Sequence, residues 1–334
     1  IRIGIVAVAA ASGTLIVNPN FAELSVEVTD TNGFPESERT NTTISFINGT
    51  RVFTIAPTGA KFHYYMNGLK YEATTSKTTT IPNTTGLYLI YFDAETLTYI
   101  ANPTPVQISD ITKYKCSVSY IAWNSTLAAS MFVNDERHGI SMTPDTHNYL
   151  HFTRGCQFLY GIAPGNITLG NGSSNADAQF GTTLGAIADE DLFHNIQTVT
   201  STTGYRYYYR YGAASELRVG TNPGYAFPIG ANSRPQYNQW TGSAWQLTEV
   251  TSGYYMIIHL FANGDITRVP VAIIGLAQYS KLTEATAGIA NEISDIMSSS
   301  LAPEYTPIAS LILEGKDSFT NAVNARYIAN SDGD

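Results

Sequence analysis

His147 and His151, four residues apart, are the side chains in this sequence whose type and spacing most invite chemistry. On a helix they share one face and could grip zinc, with His138 as a third ligand. The neighbouring glutamate that makes the metalloprotease motif specific is missing, however. The ordinary reading is that Pro144-Asp145 opens a single helical turn whose histidines cap, stack or bond to backbone, so no metal site is expected. The densest carboxylate cluster is Ala188-Asp189-Glu190-Asp191. Paired carboxylates serve as acid and base in glycoside hydrolysis, but adjacent residues on one loop rarely point at one substrate bond. An exposed acidic start to a short helix over Asp189 to Asn195 is the plainer expectation. Tyr205 to Tyr211 (YRYYYRY) interleaves arginine with aromatic rings, and Trp240 and Trp245 follow close together. Such rings stack on sugars, which makes Tyr207, Tyr209, Trp240 and Trp245 candidate glycan contacts; a packed aromatic ladder is the competing role.

Other signatures are missing. There is no Gly-x-Ser-x-Gly elbow, and the Gly161 to Phe180 loop offers no GxxxxGK phosphate cradle. Cys116 and Cys156 are the only cysteines and match neither a metal pattern nor a disulfide framework, so both are expected as small buried hydrophobes. No catalytic residue and no cofactor are expected. Sequons at Asn41, Asn48, Asn83, Asn124, Asn166 and Asn171 would suit a secreted eukaryotic glycoprotein, but a Thr- and Asn-rich chain generates them by chance.

The elements that must position these residues read as strands. The stretch Ser252 to Leu276 is the best specified: Tyr254 to Phe261 and Ile266 to Ile274 are aromatic or β-branched runs joined through Asn263-Gly264-Asp265, which predicts a long hairpin buried on both faces. Short strands recur through Phe21 to Val28, Thr43 to Ile47, Arg51 to Ile55, Lys61 to Met66, Gly86 to Phe92 and Thr96 to Ile100, with Asn48-Gly49 and Asn67-Gly68 as turns. Ser117 to Trp123 and Leu127 to Val133 form another hairpin, followed by a charged turn, Asn134 to His138. Phe62 to Tyr65 and Gly86 to Phe92 echo Tyr205 to Tyr211 and Gly253 to Phe261, as two related sandwich domains would. Near the end the period changes. Leu282, Ala285, Ile289, Ile293 and Ile296 make an apolar stripe over a helix from Lys281 to Ser299, capped at Ser280 and stopped before Pro303, which would pack on a sheet or against copies of itself. Tyr305 to Leu313 and Asn324 to Ile328 are the last strands.

The fold class is therefore mainly β: two or more antiparallel β-sandwich domains with one amphipathic helix near the C-terminus. The domains divide as a β-rich region over 1–110, a central sandwich over 111–280, and a helix plus short β region over 281–334 leading into a continuation. The net charge of −9 argues against nucleic acid as a partner, and the apolar opening, Ile1 to Val17, is too short and too broken to span a bilayer. It is expected as a strand pair or buried arm. A chain opening on Ile1 and closing on Ser331-Asp332-Gly333-Asp334 is expected to be processed or cut from a longer protein.

Asn238 to Val250, the hairpin, the helix, Pro303 to Ala309 and Asp317 to Val323 resemble a region of structural proteins of tailed bacteriophages, often tail-fibre or other appendage proteins. Glu136-Arg137-His138-Gly139 and Phe53 to Tyr65 are similar to the same group, so the likeness covers most of the chain. The resemblance implies a virion protein that acts as scaffold or adaptor in host attachment. Its expected partners are copies of itself, as a trimer, other virion proteins and a host surface glycan. The rival expectations are a head-fibre or capsid-surface decoration protein and a glycan-depolymerising spike enzyme using Asp189 and Glu190. The family supplies no catalytic residue to carry over.

Overall fold

The computed structural model describes residues 31–298 and 304–330. The arm expected over Ile1 to Val17 and the strand over Phe21 to Val28 lie outside them, as does the Pro303 stop. The chain begins with α1 (Glu36–Thr40), followed by β1 (Thr42–Ile47), β2 (Val52–Pro57), β3 (Phe62–Met66), β4 (Leu69–Ala73) and β5 (Lys77–Thr80). β1, β2 and β5 form one small sheet, in that order, and β3–β4 form a hairpin. Asn67 (φ 48) and Gly68 (φ 74) both take positive φ in the two-residue turn, as a tight hairpin of matching twist demands.

Next come β6 (Gly86–Asp93), β7 (Thr96–Ala101), α2 (Pro105–Tyr114), β8 (Cys116–Asn124) and β9 (Ala129–Asp135), whose strands make a sheet ordered β7-β6-β8-β9. This sheet takes strands from either side of residue 110: Gly86 to Phe92 pairs with Trp123 back to Cys116. Further along are α3 (Pro144–Thr153), β10 (Cys156–Tyr160), β11 (Pro164–Gly165), β12 (Gly181–Thr182), β13 (Gly185–Asp189) and β14 (Leu192–Ile196). α3 has ten residues where a single turn was expected, because Thr143 accepts a hydrogen bond from the Thr146 N–H and Pro144 suits the first turn. The helix expected over Asp189 to Asn195 is instead the tight turn of the β13–β14 hairpin, with Glu190 in the left-handed region at φ 45.

The remainder is β15 (Arg206–Tyr211), β16 (Glu216–Thr221), β17 (Gln236–Trp240), β18 (Trp245–Glu249), β19 (Tyr254–Asn263), β20 (Val271–Tyr279), α4 (Leu282–Met297), β21 (Tyr305–Gly315) and β22 (Ala325–Asn330). A six-stranded sheet runs β16-β15-β20-β19-β21-β22, with β15 parallel to β20. The last two strands thus complete the sheet begun by β19. Within it, β20-β19-β21-β22 repeats the order of β7-β6-β8-β9, and each set carries a helix between its second and third strands in chain order. The sequence echo between Gly86 to Phe92 and Gly253 to Phe261 falls on the two equivalent central strands.

Alternation along β6 explains the layering. Tyr88, Ile90 and Phe92 face a core shared with β1–β5, while Leu89 faces a second core that joins the two sheets through Tyr120, Phe132, Tyr208, Phe261, Ile273 and Tyr305. The far face of the six-stranded sheet, including Met256, Ile258 and Leu260, packs under β10, β13 and the 205–250 segment. The expected burial of β19 on both faces is observed. The tight Asn263-Gly264-Asp265 turn is not: β20 starts at Val271, because Asp265 is held by the N–H groups of Val133 and Thr267. The α4 stripe lies on this sheet, with Ala285 and Ile289 packed against Ile257 and Ile312. Lys281, not Ser280, is its N-cap.

Candidate functional site

Four segments converge at one end of β9. Asn134 to Gly139, expected as a charged turn, is buried along its whole length. Phe34 N–H donates to the His138 carbonyl and Glu136 N–H to the Val118 carbonyl, so the segment is sewn between two elements. Arg137 points away from the site, makes a two-pronged ion pair with Asp135 at 2.7 Å and caps the Thr42 carbonyl. Glu136 and His138 are thereby turned inward. α3 brings His147 and His151, the β13–β14 turn brings Asp189, Glu190 and Asp191, and Glu304 enters just ahead of β21.

His138 is the centre. Its Nδ1–H donates to Asp191 Oδ1 at 2.9 Å, and Asp191 is itself held by the Gly139 N–H at 2.8 Å. Its Nε2 lies 3.4 Å from Glu136 Oε2 and 3.4 Å from Glu190 Oε2. The His147 ring sits 4.1 Å from the His138 ring, centroid to centroid. His151 Nδ1 is 3.6 Å from Glu190 Oε1, and its ring stacks on Tyr120. Glu304 accepts from Asn134 at 3.3 Å. The Glu190 side chain is 0% exposed, yet neither of its oxygens makes a hydrogen bond; Glu136 Oε1 and His138 Nε2 are also buried without one.

The electrostatics follow from burial and crowding. Burial pushes the Glu136 carboxyl up to about 7, against the pull of His138. Burial, then the charge of Glu304, raises Asp189 well above the usual range, and burial with Glu136 raises Glu304. Burial would lower His138, but the hydrogen bond to Asp191 and the nearby carboxylates of Glu136 and Glu190 hold it well above the ordinary value. His147 is driven well below its ordinary value by burial and by the neighbouring His138 and His151. Two sets of donor atoms lie within 4.8 Å of one another: His138 with His147 and Glu190, and His138 with Glu136 and Asp189.

The structure thus gathers the histidines and acids weighed separately in the sequence and adds Glu136 and Glu304, which no spacing pattern marked. They do not face an open cleft: the adjoining cavity, lined by Glu136, His138 and His147, measures about 10 Å³, room for one water. The candidate glycan contacts are dispersed. Tyr207 and Tyr209 are half-buried on one strand, 6.2 Å apart. Trp240 and Trp245 face each other across the β17–β18 pair at 5.5 Å, Trp240 being 46% exposed and Trp245 lying under Arg210. Tyr209, Arg210 and Asn238 line a cavity of about 390 Å³ with no carboxylate among its lining residues.

A second inward-facing network occupies the helix–sheet seam. His259 bonds Ser310 Oγ at 2.8 Å and Glu292 at 3.0 Å, and Tyr279 donates to Glu292 at 2.7 Å. Its residue types are those of a nucleophilic triad, and Ser310 and His259 are fully buried within the seam. Both cysteines are buried and unpaired. No family model matches the chain, and neither a curated protein nor a solved structure does.

Proposed function

We propose that this chain is a structural protein of a bacteriophage particle, part of a tail fibre or other surface appendage, and that it serves as a scaffold or adaptor in host attachment. The observation that carries the reading is the layered β body: two four-stranded units of one topology share an apolar seam, and both polar clusters rich in histidine and acid point into the protein. Such a body holds a shape. The likeness of Asn238 to Val250 and Asp317 to Val323 to phage appendage proteins supplies the setting. Among the described residues no helix is long and apolar enough to cross a membrane.

Self-association, as a trimer, belongs to the same proposal. The stripe of α4 is spent on the chain's own sheet, so contacts between copies must use other surfaces. Large apolar side chains stand exposed on α3 and on the sheet after it: Tyr149, Phe152, Phe158, Tyr160 and, at 71%, Phe193. Contact with a host glycan would fall to Trp240 and Trp245, with Tyr207 and Tyr209 as a separate candidate pair on β15. Peptide mass spectrometry of purified particles, followed by blocking of adsorption with antiserum against the chain, tests the reading. The chain should be found in the particle and the antiserum should reduce adsorption. Presence without any block would move the assignment to the head-fibre or capsid-surface alternative, and absence from the particle would refute it.

A further inference from the structure

We propose that His138, His147 and Glu190 bind one divalent transition-metal ion of the zinc class, which pins the end of β9, helix α3 and the β13–β14 turn together. The first argument is the orientation of His138. Asp191 holds the Nδ1 side of the ring, which turns Nε2 toward Glu190 and Glu136, 3.4 Å from an oxygen of each. A carboxylate behind a histidine, itself fixed by the Gly139 N–H, is the arrangement that presents a histidine to a metal.

The second argument is the orphaned atoms. Glu190 has both oxygens buried without a hydrogen bond, and His138 Nε2 has none either. Three electron-rich atoms converging in a water-poor interior repel unless a cation lies between them. A proton answers this poorly, because a charged N–H···O bond closes to about 2.7–2.9 Å, whereas these pairs stand 3.4 Å apart. Donors held at about 2.1 Å around a tetrahedral ion are about 3.4 Å from one another. The separation is thus that of two ligands sharing a metal.

The donor set decides the ion. Two imidazoles and a carboxylate suit zinc and its transition-metal neighbours, while calcium and magnesium prefer all-oxygen shells. The fourth position falls to Glu136 or to a water in the adjoining cavity. The adjoining cavity, about 10 Å³, has room for a water but not for a substrate, so the ion works as a staple.

The full chain, produced without a polyhistidine tag, tests this by metal analysis and by titration of the chelator-treated protein with Co²⁺. One equivalent of zinc, the strong visible absorption of tetrahedral Co²⁺, and a rise in Tm on adding either ion are expected. His147→Gln, at a half-buried position, should abolish the absorption while far-UV circular dichroism is kept. Asp191→Asn, behind the ligand, should weaken binding by about 10–100-fold. A chelator-treated chain whose Tm and spectrum ignore Zn²⁺ and Co²⁺, or an absorption band that survives His147→Gln and Glu190→Gln, would overturn the site.

Discussion

Phe261→Ala tests whether the two four-stranded units are one cooperative body. Phe261 is fully buried in the seam between the sheets, in the same cluster as Leu89, Tyr120 and Phe132 of the first unit. Losing the ring forfeits about 2–3 kcal/mol of transfer free energy. A residual hole of roughly 60 Å³ adds about 1.5 kcal/mol at ~24 cal/mol per Å³. The sum, roughly 4 kcal/mol, lies within the ~3–5 kcal/mol range for such truncations. At about 2–4 °C per kcal/mol for a body of this size, Tm falls by roughly 8–16 °C. The assay uses a parent in which Trp240 and Trp245 are phenylalanine, so Trp123, buried in the first four-stranded unit, is the sole indole. Its fluorescence and the far-UV signal should move down together in the variant. A Trp123 transition that stays with the parent while the far-UV midpoint drops would refute the shared seam.

Other outcomes follow from the same geometry. Glu292→Ala leaves His259 and the Tyr279 hydroxyl without their buried acceptor and should destabilise by about 3–5 kcal/mol, read from urea midpoints. Gly275→Ala would place a Cβ 2.6 Å from Glu292 Oε2 and closer still to the Ile257 carbonyl; a loss of about 1–3 kcal/mol is expected by calorimetry, and an unchanged Tm would count against that packing. Burial would raise Asp135, but the hydrogen bonds and charge of Arg137, with Arg268, hold it below its usual 3.8. A depressed acid stabilises above its unfolded value, and that stability is lost as pH falls through the folded one. Tm should therefore drop steeply below about pH 4, and Asp135→Asn, less stable at neutral pH, should show a shallower acid slope. Phe158→Ala, on a half-exposed side chain, should change stability by no more than about 0.5 kcal/mol in a monomer; a larger loss would reveal a buried contact.

Much of the fold was legible because strand signals are local. Gly86 to Phe92 and Tyr254 to Phe261 announced central strands through apolar runs that only double-sided burial accommodates, and Asn67-Gly68 gave its turn through two residues tolerant of positive φ. The Asn263-Gly264-Asp265 turn misled for a tertiary reason: Asp265 is recruited by Val133, on the other four-stranded unit. Glu292 sits within the α4 stripe between Ile289 and Ile296, where periodicity foresees only apolar groups, because its partner His259 comes from β19.

The acid–histidine site was half legible. Three of the six histidines lie between 138 and 151, and that crowding was the available signal. Each half was nonetheless discounted on local grounds, since His147 and His151 lack the metalloprotease glutamate and Asp189 to Asp191 are adjacent on one turn. The glutamate that meets the histidines is Glu190, supplied across the fold by a hairpin turn that a helix-like acidic start concealed.

The central claim is that this layered body is a building block of a phage particle, and cryo-electron microscopy of the intact particle tests it most directly. Density at the tail or on another surface appendage that accepts the paired four-stranded units, with β7-β6-β8-β9 and β20-β19-β21-β22 across one seam, is the predicted result. Particle density fully accounted for by other chains would contradict it.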